Sequence, residues 1–198
     1  MNVDRIEVNG SQLQKAPPVY LAMNKPRGIV TTASDEKGRA TIYDLLNEER
    51  PWVAPVGRLD KASEGLLLLT NDSTWAARVT DPASHVDKTY HVQVDRVVDE
   101  DLLAKMTRGC VVGGEHLKAK FARRLRAGAK KSWIEIVLDE GKNRQIRRLL
   151  KALGVGVLRL VRVSIGPLEL GELKKGAARS LTEKEKRDLD RSITKETQ

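Results

Sequence analysis

The chain has 198 residues, 40 % of them apolar, which is enough to bury the core of one domain, or one domain in two lobes, and too much for a chain disordered throughout. No apolar run approaches a membrane span and no secretory signal opens the sequence, so a soluble cytoplasmic protein without membrane contact is expected. Lysine and arginine number 36 against 27 aspartate and glutamate, a net charge of +9 that favours a polyanionic partner, nucleic acid first; lone Cys110 excludes an internal disulfide, and the scattered His85, His91 and His116 exclude the paired spacing of a structural metal site.

The polar opening to Pro18 reads as a lead-in, after which Val19–Met23 reads as a strand and Asn24–Gly28 as a turn. Ile42–Leu46 is a short helix candidate. A strand near Trp52–Val56 leads into Gly57-Arg58-Leu59-Asp60, where one carboxylate stands between two cations just before Leu66–Leu69, a fully buried strand ended at Thr70-Asn71-Asp72. Asp60 is therefore expected at a strand mouth, and Asp72 or Ser73 caps a helix through Trp75–Arg78. This closes a first lobe, residues 19–84. In Lys88–Asp95 the apolar residues alternate, putting Tyr90, Val92 and Val94 on one strand face with Tyr90 inward. A helix follows around Asp99–Met106, then strands near Val111, at Leu117–Phe121 and at Ser132–Leu138, with a Gly113-Gly114 turn.

From Lys142 a helix places Ile146, Leu149, Leu150 and Leu153 on one face and Arg144, Arg147, Arg148 and Lys151 on the other, with Gly154 as its C-cap. Val155–Ile165 reads as a long strand broken by Gly166-Pro167. The second lobe spans 85–182, and residues 183–198 form a charged terminal helix and tail beginning near Leu181. Between Lys118 and Lys131 seven cations occur without an acid, which fits either a solvated strand edge kept soluble by like charge or a phosphate-contacting rim. Trp52, Trp75 and Trp133 are expected to be buried, and Lys61 and Glu64 exposed.

Four ordered motifs carry a resemblance. Gly57-Arg58-Leu59-Asp60-x-x-Ser63-x-Gly65 with the leucines that follow and Asn24-Lys25-Pro26-x-Gly28 upstream, then Lys88-Thr89-Tyr90, then Gly141–Leu149, then Leu160-x-Arg162-x-x-x-Gly166-Pro167-Leu168, resemble the ribosomal pseudouridine synthases of the small-subunit uridine synthase family over residues 19–182. The resemblance implies a two-lobed α/β (α+β) enzyme with a central, mainly antiparallel mixed sheet flanked by helices and an active cleft between the lobes. It implies isomerisation of a uridine in ribosomal RNA to pseudouridine without cofactor or metal, by a chain expected to be a monomer. Large-subunit RNA is favoured because module-poor relatives lean that way. Many members carry an N-terminal RNA-binding module, of which only Arg5–Gly10 resembles the tail.

The chemistry accounts for the residue types. Detaching uracil from ribose calls for a carboxylate acting as nucleophile or as base on the sugar, the role of Asp60. A guanidinium held against such a carboxylate keeps it ionised and oriented, and the matching position is Arg147, with Arg148 as the alternative. Tyr90 matches the aromatic residue beside the target base, where its ring stacks on uracil or its hydroxyl relays a proton. Extrusion of the base from paired RNA leaves Arg58 to hold a phosphate or fill the vacated space. Lys25, Lys142, Arg144, Arg148 and Leu160 complete the expected substrate contacts, Lys25 also as a brace of the Asp60 loop and Leu160 as an apolar wall. Two other classes remain open: a non-catalytic RNA-binding or ribosome-assembly protein, and a glycosidic hydrolase, which would need a second carboxylate that Glu64 supplies poorly.

Overall fold

The computed structural model describes residues 16–32, 35–46 and 51–194, with the backbone of two short strands near the start. Those strands, β1 (Glu7–Val8) and β2 (Ser11–Gln12), pair antiparallel; the rest of the lead-in before residue 16 and the last residues of the tail, 195–198, lie outside the described residues. Then follow β3 (Tyr20–Lys25), β4 (Ala54–Val56), β5 (Glu64–Thr70), α1 (Ser73–Thr80), β6 (Lys88–Val94), α2 (Glu100–Arg108), β7 (Cys110–Val112), β8 (Glu115–Leu117), β9 (Phe121–Ala127), β10 (Ser132–Leu138), α3 (Gln145–Ala152), β11 (Val157–Ile165), β12 (Leu168–Glu169), β13 (Ala178–Ser180) and α4 (Glu183–Thr194). Ile42–Leu45 is a 3-10 turn capped by Thr41 and Asp44.

One mixed sheet runs β13-β3-β5-β11-β6-β10-β9, with β12 on β11 and β4 on β5. Its pairings are antiparallel except β5 with β11, so the expected α/β class with a mainly antiparallel sheet is what the chain adopts. Both expected halves share this sheet. Its spine is β5, whose seven residues are all buried because both faces are covered: Leu66 and Leu68 pack with Trp75 and Val79 of α1 and Leu189 and Ile193 of α4, while Leu67 and Leu69 pack with Ile42, Val53 and Leu59. A strand covered on both faces has no position for a solvated side chain, which accounts for the unbroken leucines. The strand ends where Asn71 ties back to Val19 and Pro17 and the Asp72 carboxylate accepts from the Trp75 amide, capping α1.

A third cluster joins Val92, Val94, Ile134 and Ile136 to Leu103 and Met106 of α2 and Ile146, Leu149 and Leu150 of α3. Tyr90 touches both this cluster and that of Leu67, which puts it where the two packing units meet.

Several local expectations are corrected. Residues 118–120 connect β8, which pairs only with β7, to β9, so Leu117–Phe121 is not one strand. The basic run Lys118–Lys131 then lies along β9 at the sheet edge, where Glu135 pairs with Arg123 and Asp87 with Lys120. Trp52 is 68 % exposed rather than buried, whereas Trp75 is 1 % exposed and donates its indole N–H to Asp190. The α3 helix begins at Gln145, three residues later than its apolar spacing suggests, because residues 142–144 form a turn.

Candidate active site

The cavity of interest has a volume of about 670 Å³ and is bordered by the Asp60 loop, the start of β6, the turn before α3 and the middle of β11. Six cations, Arg58, Lys88, Lys142, Arg144, Arg147 and Arg162, line it against two carboxylates, Asp60 and Glu140. Its field therefore favours an anion.

The Asp60 loop is held through five consecutive carbonyls. Leu59 O accepts from the Thr31 hydroxyl at 2.8 Å, Asp60 O from the Ser63 amide at 2.9 Å, Lys61 O from the Gly28 amide at 2.8 Å, Ala62 O from Arg147 Nη2 at 2.9 Å, and Ser63 O from Lys25 Nζ at 3.0 Å. With every carbonyl engaged, the Asp60 carboxylate is carried on a rigid support while its side chain keeps 35 % exposure toward the cavity. At the loop's exit Gly65 has φ +103°, and a Cβ there would sit 2.2 Å from the Arg162 carbonyl oxygen. Only glycine permits so close an approach of β5 to β11.

Lys25 is corrected as a substrate contact. It is completely buried, and its ammonium donates to the carbonyls of Pro26, Ile29 and Ser63, so no surface is left for RNA and its role is to brace the loop. Burial pulls its pKa down to about 8, against the opposing pull of Asp60 and Glu64. Glu64 is corrected as well. Its side chain is 3 % exposed and bridges Arg159 at 2.9 Å and Lys175 at 2.6 Å, with its pKa held down to about 2 chiefly by the Arg159 hydrogen bond.

With both oxygens committed to Arg159 and Lys175 and no place in the lining of the cavity, Glu64 is not placed to serve as the second group of a hydrolase. Because its folded-state pKa lies below its ordinary 4.5, the stability it contributes is present above pH 4.5 and is lost as pH falls toward 2. Glu64→Gln is expected to lower stability at neutral pH by about 2–3 kcal/mol and to flatten the melting-temperature profile between pH 4.5 and 2, as read by thermal unfolding.

The expected partner of Asp60 is also revised. Arg144, not Arg147, makes the ion pair, Nη1 to Oδ2 at 3.5 Å. Arg144 stands immediately before α3 with φ 48° and ψ 34°, a left-handed conformation that costs a non-glycine residue about 1 kcal/mol and turns it out of the helical spacing. Arg147 lines the cavity and grips Ala62 O; its Nε is buried without a partner, and burial together with the charge of Arg144 depresses its pKa, opposed by Asp60. Arg148 stands apart from the other expected contacts. It does not line the cavity but binds Glu115 and Val112 O, fastening α3 to the β7–β8 hairpin.

The remaining expected residues fall together. Tyr90, Arg58, Lys142 and Leu160 all line the cavity; Leu160 is buried beside Tyr90, Arg58 is exposed, and Lys142 is tied to Glu140 and His116 O. Sequence reasoning passed over two of the lining cations, Lys88 and Arg162. Both were inside recognised motifs, and strand alternation alone puts Lys88 on the face of Tyr90. Among the described residues no group of three or more His, Cys, Asp or Glu is arranged to hold a metal, and no helix is long and apolar enough to cross a membrane.

A carboxylate on a fixed loop, an aromatic ring beside it and a cationic rim suit chemistry on a nucleotide lifted from its strand. Residues 19–152 match the model of the RNA pseudouridylate synthase family. The chain is 40 % identical to the ribosomal large subunit pseudouridine synthase B of Bacillus subtilis, over 94 % of this chain and 77 % of that protein. It is 38 % identical to the ribosomal large subunit pseudouridine synthase E of Vibrio parahaemolyticus, over 79 % and 71 %. A crystal structure of a pseudouridylate synthase superposes with a TM-score of 0.77 at 33 % identity, covering 87 % of this chain and 74 % of that one. The chain belongs to the RNA pseudouridylate synthase family and is an isomerase of that type.

Proposed function

We propose that the chain converts a uridine of ribosomal RNA, in the large subunit by preference, to pseudouridine, and that within its family it belongs to the small-subunit uridine synthase branch whose motifs it carries. The observation that carries this reading is the Asp60 carboxylate, presented to a cation-lined cavity by a loop with five pinned carbonyls and sharing that cavity with Tyr90. The names of its relatives support the choice of RNA.

In this reading the target nucleotide leaves its strand and enters between the two lobes. Asp60 acts on the sugar, as nucleophile at C1′ or as base, while the N1–C1′ bond breaks. The freed uracil turns against Tyr90 and Leu160, C5 bonds to C1′ as Asp60 leaves the sugar or gives back the proton it took, the C5 hydrogen leaves as a proton, and N1 gains one. Arg144 orients the carboxylate, and Arg147 holds the loop that carries it.

Release of tritium from ribosomal RNA labelled at uridine C5 tests this, since isomerisation must lose that hydrogen. Absence of release from either subunit's RNA would exclude the reading and leave an RNA-binding or assembly role. Arg147→Met is expected to cut release by about 100-fold or more with the circular dichroism unchanged, because a loosened Ala62 carbonyl lets the nucleophile drift. Arg148→Met, acting only on the hairpin, is expected to cost less than tenfold.

A further inference from the structure

Lys88, Tyr90 and Arg162 form a group that the chemistry above does not use in full. Lys88 precedes Tyr90 by two residues on β6, and Arg162 of β11 pairs directly with Tyr90 across the sheet, so all three border the cavity with the ring flanked by two cations. Arg162 is 6 % exposed. Its Nε donates to Leu66 O at 2.7 Å, fixing the guanidinium, while Nη2 is buried with no partner. A buried guanidinium N–H without an acceptor is costly unless a ligand completes it.

Lys88 is half-buried beside it, its pKa lowered by burial and then by the charge of Arg162. Asp87 and Asp139 oppose that lowering from a distance, and among the described residues neither makes an ion pair with Lys88; Asp87 binds Lys120 at 2.8 Å. The carboxylates of the cavity are engaged too, Asp60 with Arg144 and Glu140 with Lys142 and Gln145. Two like charges thus border one cavity in a poorly solvated place, and among the described residues neither makes an ion pair with a carboxylate.

We propose that Lys88 and Arg162 form a phosphate subsite that takes a backbone phosphate of the nucleotide whose base lies against Tyr90. A neutral uracil carbonyl would satisfy one N–H but would leave the repulsion between the cations, whereas a phosphate oxygen pair accepts from both and cancels charge. The subsite rests on the reading of the cavity as a nucleotide site. Its consequence is that the nucleotide is gripped at its backbone next to the sugar on which Asp60 acts.

The test is calorimetric titration of the full chain at low salt with uridine, uridine 5′-monophosphate and uridine 3′-monophosphate. At least one monophosphate is expected to bind about tenfold or more tightly than uridine, with the margin shrinking as potassium chloride is raised. Lys88→Met and Arg162→Met should each remove most of that margin and leave uridine binding in place. Equal binding of all three probes by the parent protein, or an undiminished margin in both variants, overturns the subsite. An equal loss for uridine and the monophosphates also overturns it, by assigning Arg162 to the base instead.

Should Arg162→Met unfold through loss of the bond to Leu66 O, Lys88→Met decides alone, since among the described residues no hydrogen bond ties that side chain. Tritium release on the same samples separates the two readings: an intact margin with no release from any RNA removes the isomerase, while release without a margin removes only the subsite.

Discussion

Asp60→Asn is expected to reduce release of the uridine C5 hydrogen by about three orders of magnitude or more while leaving RNA binding near that of the parent protein. The substitution keeps the shape of the side chain and an oxygen for Arg144, 3.5 Å away in the parent, and touches none of the five carbonyl bonds that set the loop. What it removes is the charge that can attack C1′ or draw a proton from the sugar. The cations lining the cavity are unchanged, so affinity measured by filter retention at fixed salt should hold. Turnover close to normal in this variant would dismiss Asp60 as the group that acts on the sugar.

Gly65→Ala is expected to be the most damaging small substitution in the fold, lowering stability by about 3–5 kcal/mol or preventing folding outright. The new methyl would meet Arg162 backbone atoms at 2.2, 2.8 and 3.0 Å, at a φ of +103° that alanine resists. It falls at the sheet's parallel pairing, where Gly65 stands opposite Arg162, so the strain cannot be relieved without separating β5 from β11. Gly28→Ala provides the comparison. There φ is +96° but no atom lies within 4 Å, and the loss should be confined to about 1 kcal/mol of backbone strain. Urea unfolding of the two variants measures the difference, and a Gly65→Ala protein as stable as Gly28→Ala would refute the close approach.

The contrast between these glycines illustrates what the sequence made legible. The leucine run, the cap at Asp72, the helix from about Asp99 and the two-glycine turn between β7 and β8 are local signals that produced the expected elements, while the cap of α3 falls on Leu153, with Gly154 following it at φ 71°. The assembly of Asp60, Tyr90, Arg58, Lys142, Arg144, Arg147 and Leu160 around one cavity followed from motif order. Burial of charge was not legible. Glu64 reads as a surface residue until Arg159 and Lys175, 95 and 111 positions away, are seen to meet it.

Lys25 reads as both substrate contact and brace until three carbonyls surround its ammonium and leave only the brace. The exchange of Arg147 for Arg144 as the partner of Asp60 depends on one residue leaving helical geometry before α3, which no periodicity encodes. Trp52 was misjudged: it stands 68 % exposed, whereas Trp75 is packed with Leu189 and Ile193 of α4, and sequence alone does not tell the two apart.

The pinned loop has a consequence for how competence is acquired. The carbonyls beneath Asp60 are claimed by donors from residues 25, 28, 31, 63 and 147, so the posture of the carboxylate is not a property of its own sequence neighbourhood. A nascent chain that has emerged only through β5 already contains Asp60 but lacks Arg147, and the Ala62 carbonyl is still without its donor. The last tie of the loop is thus made late, when α3 docks, and its full posture is reached only once most of the domain has been synthesised.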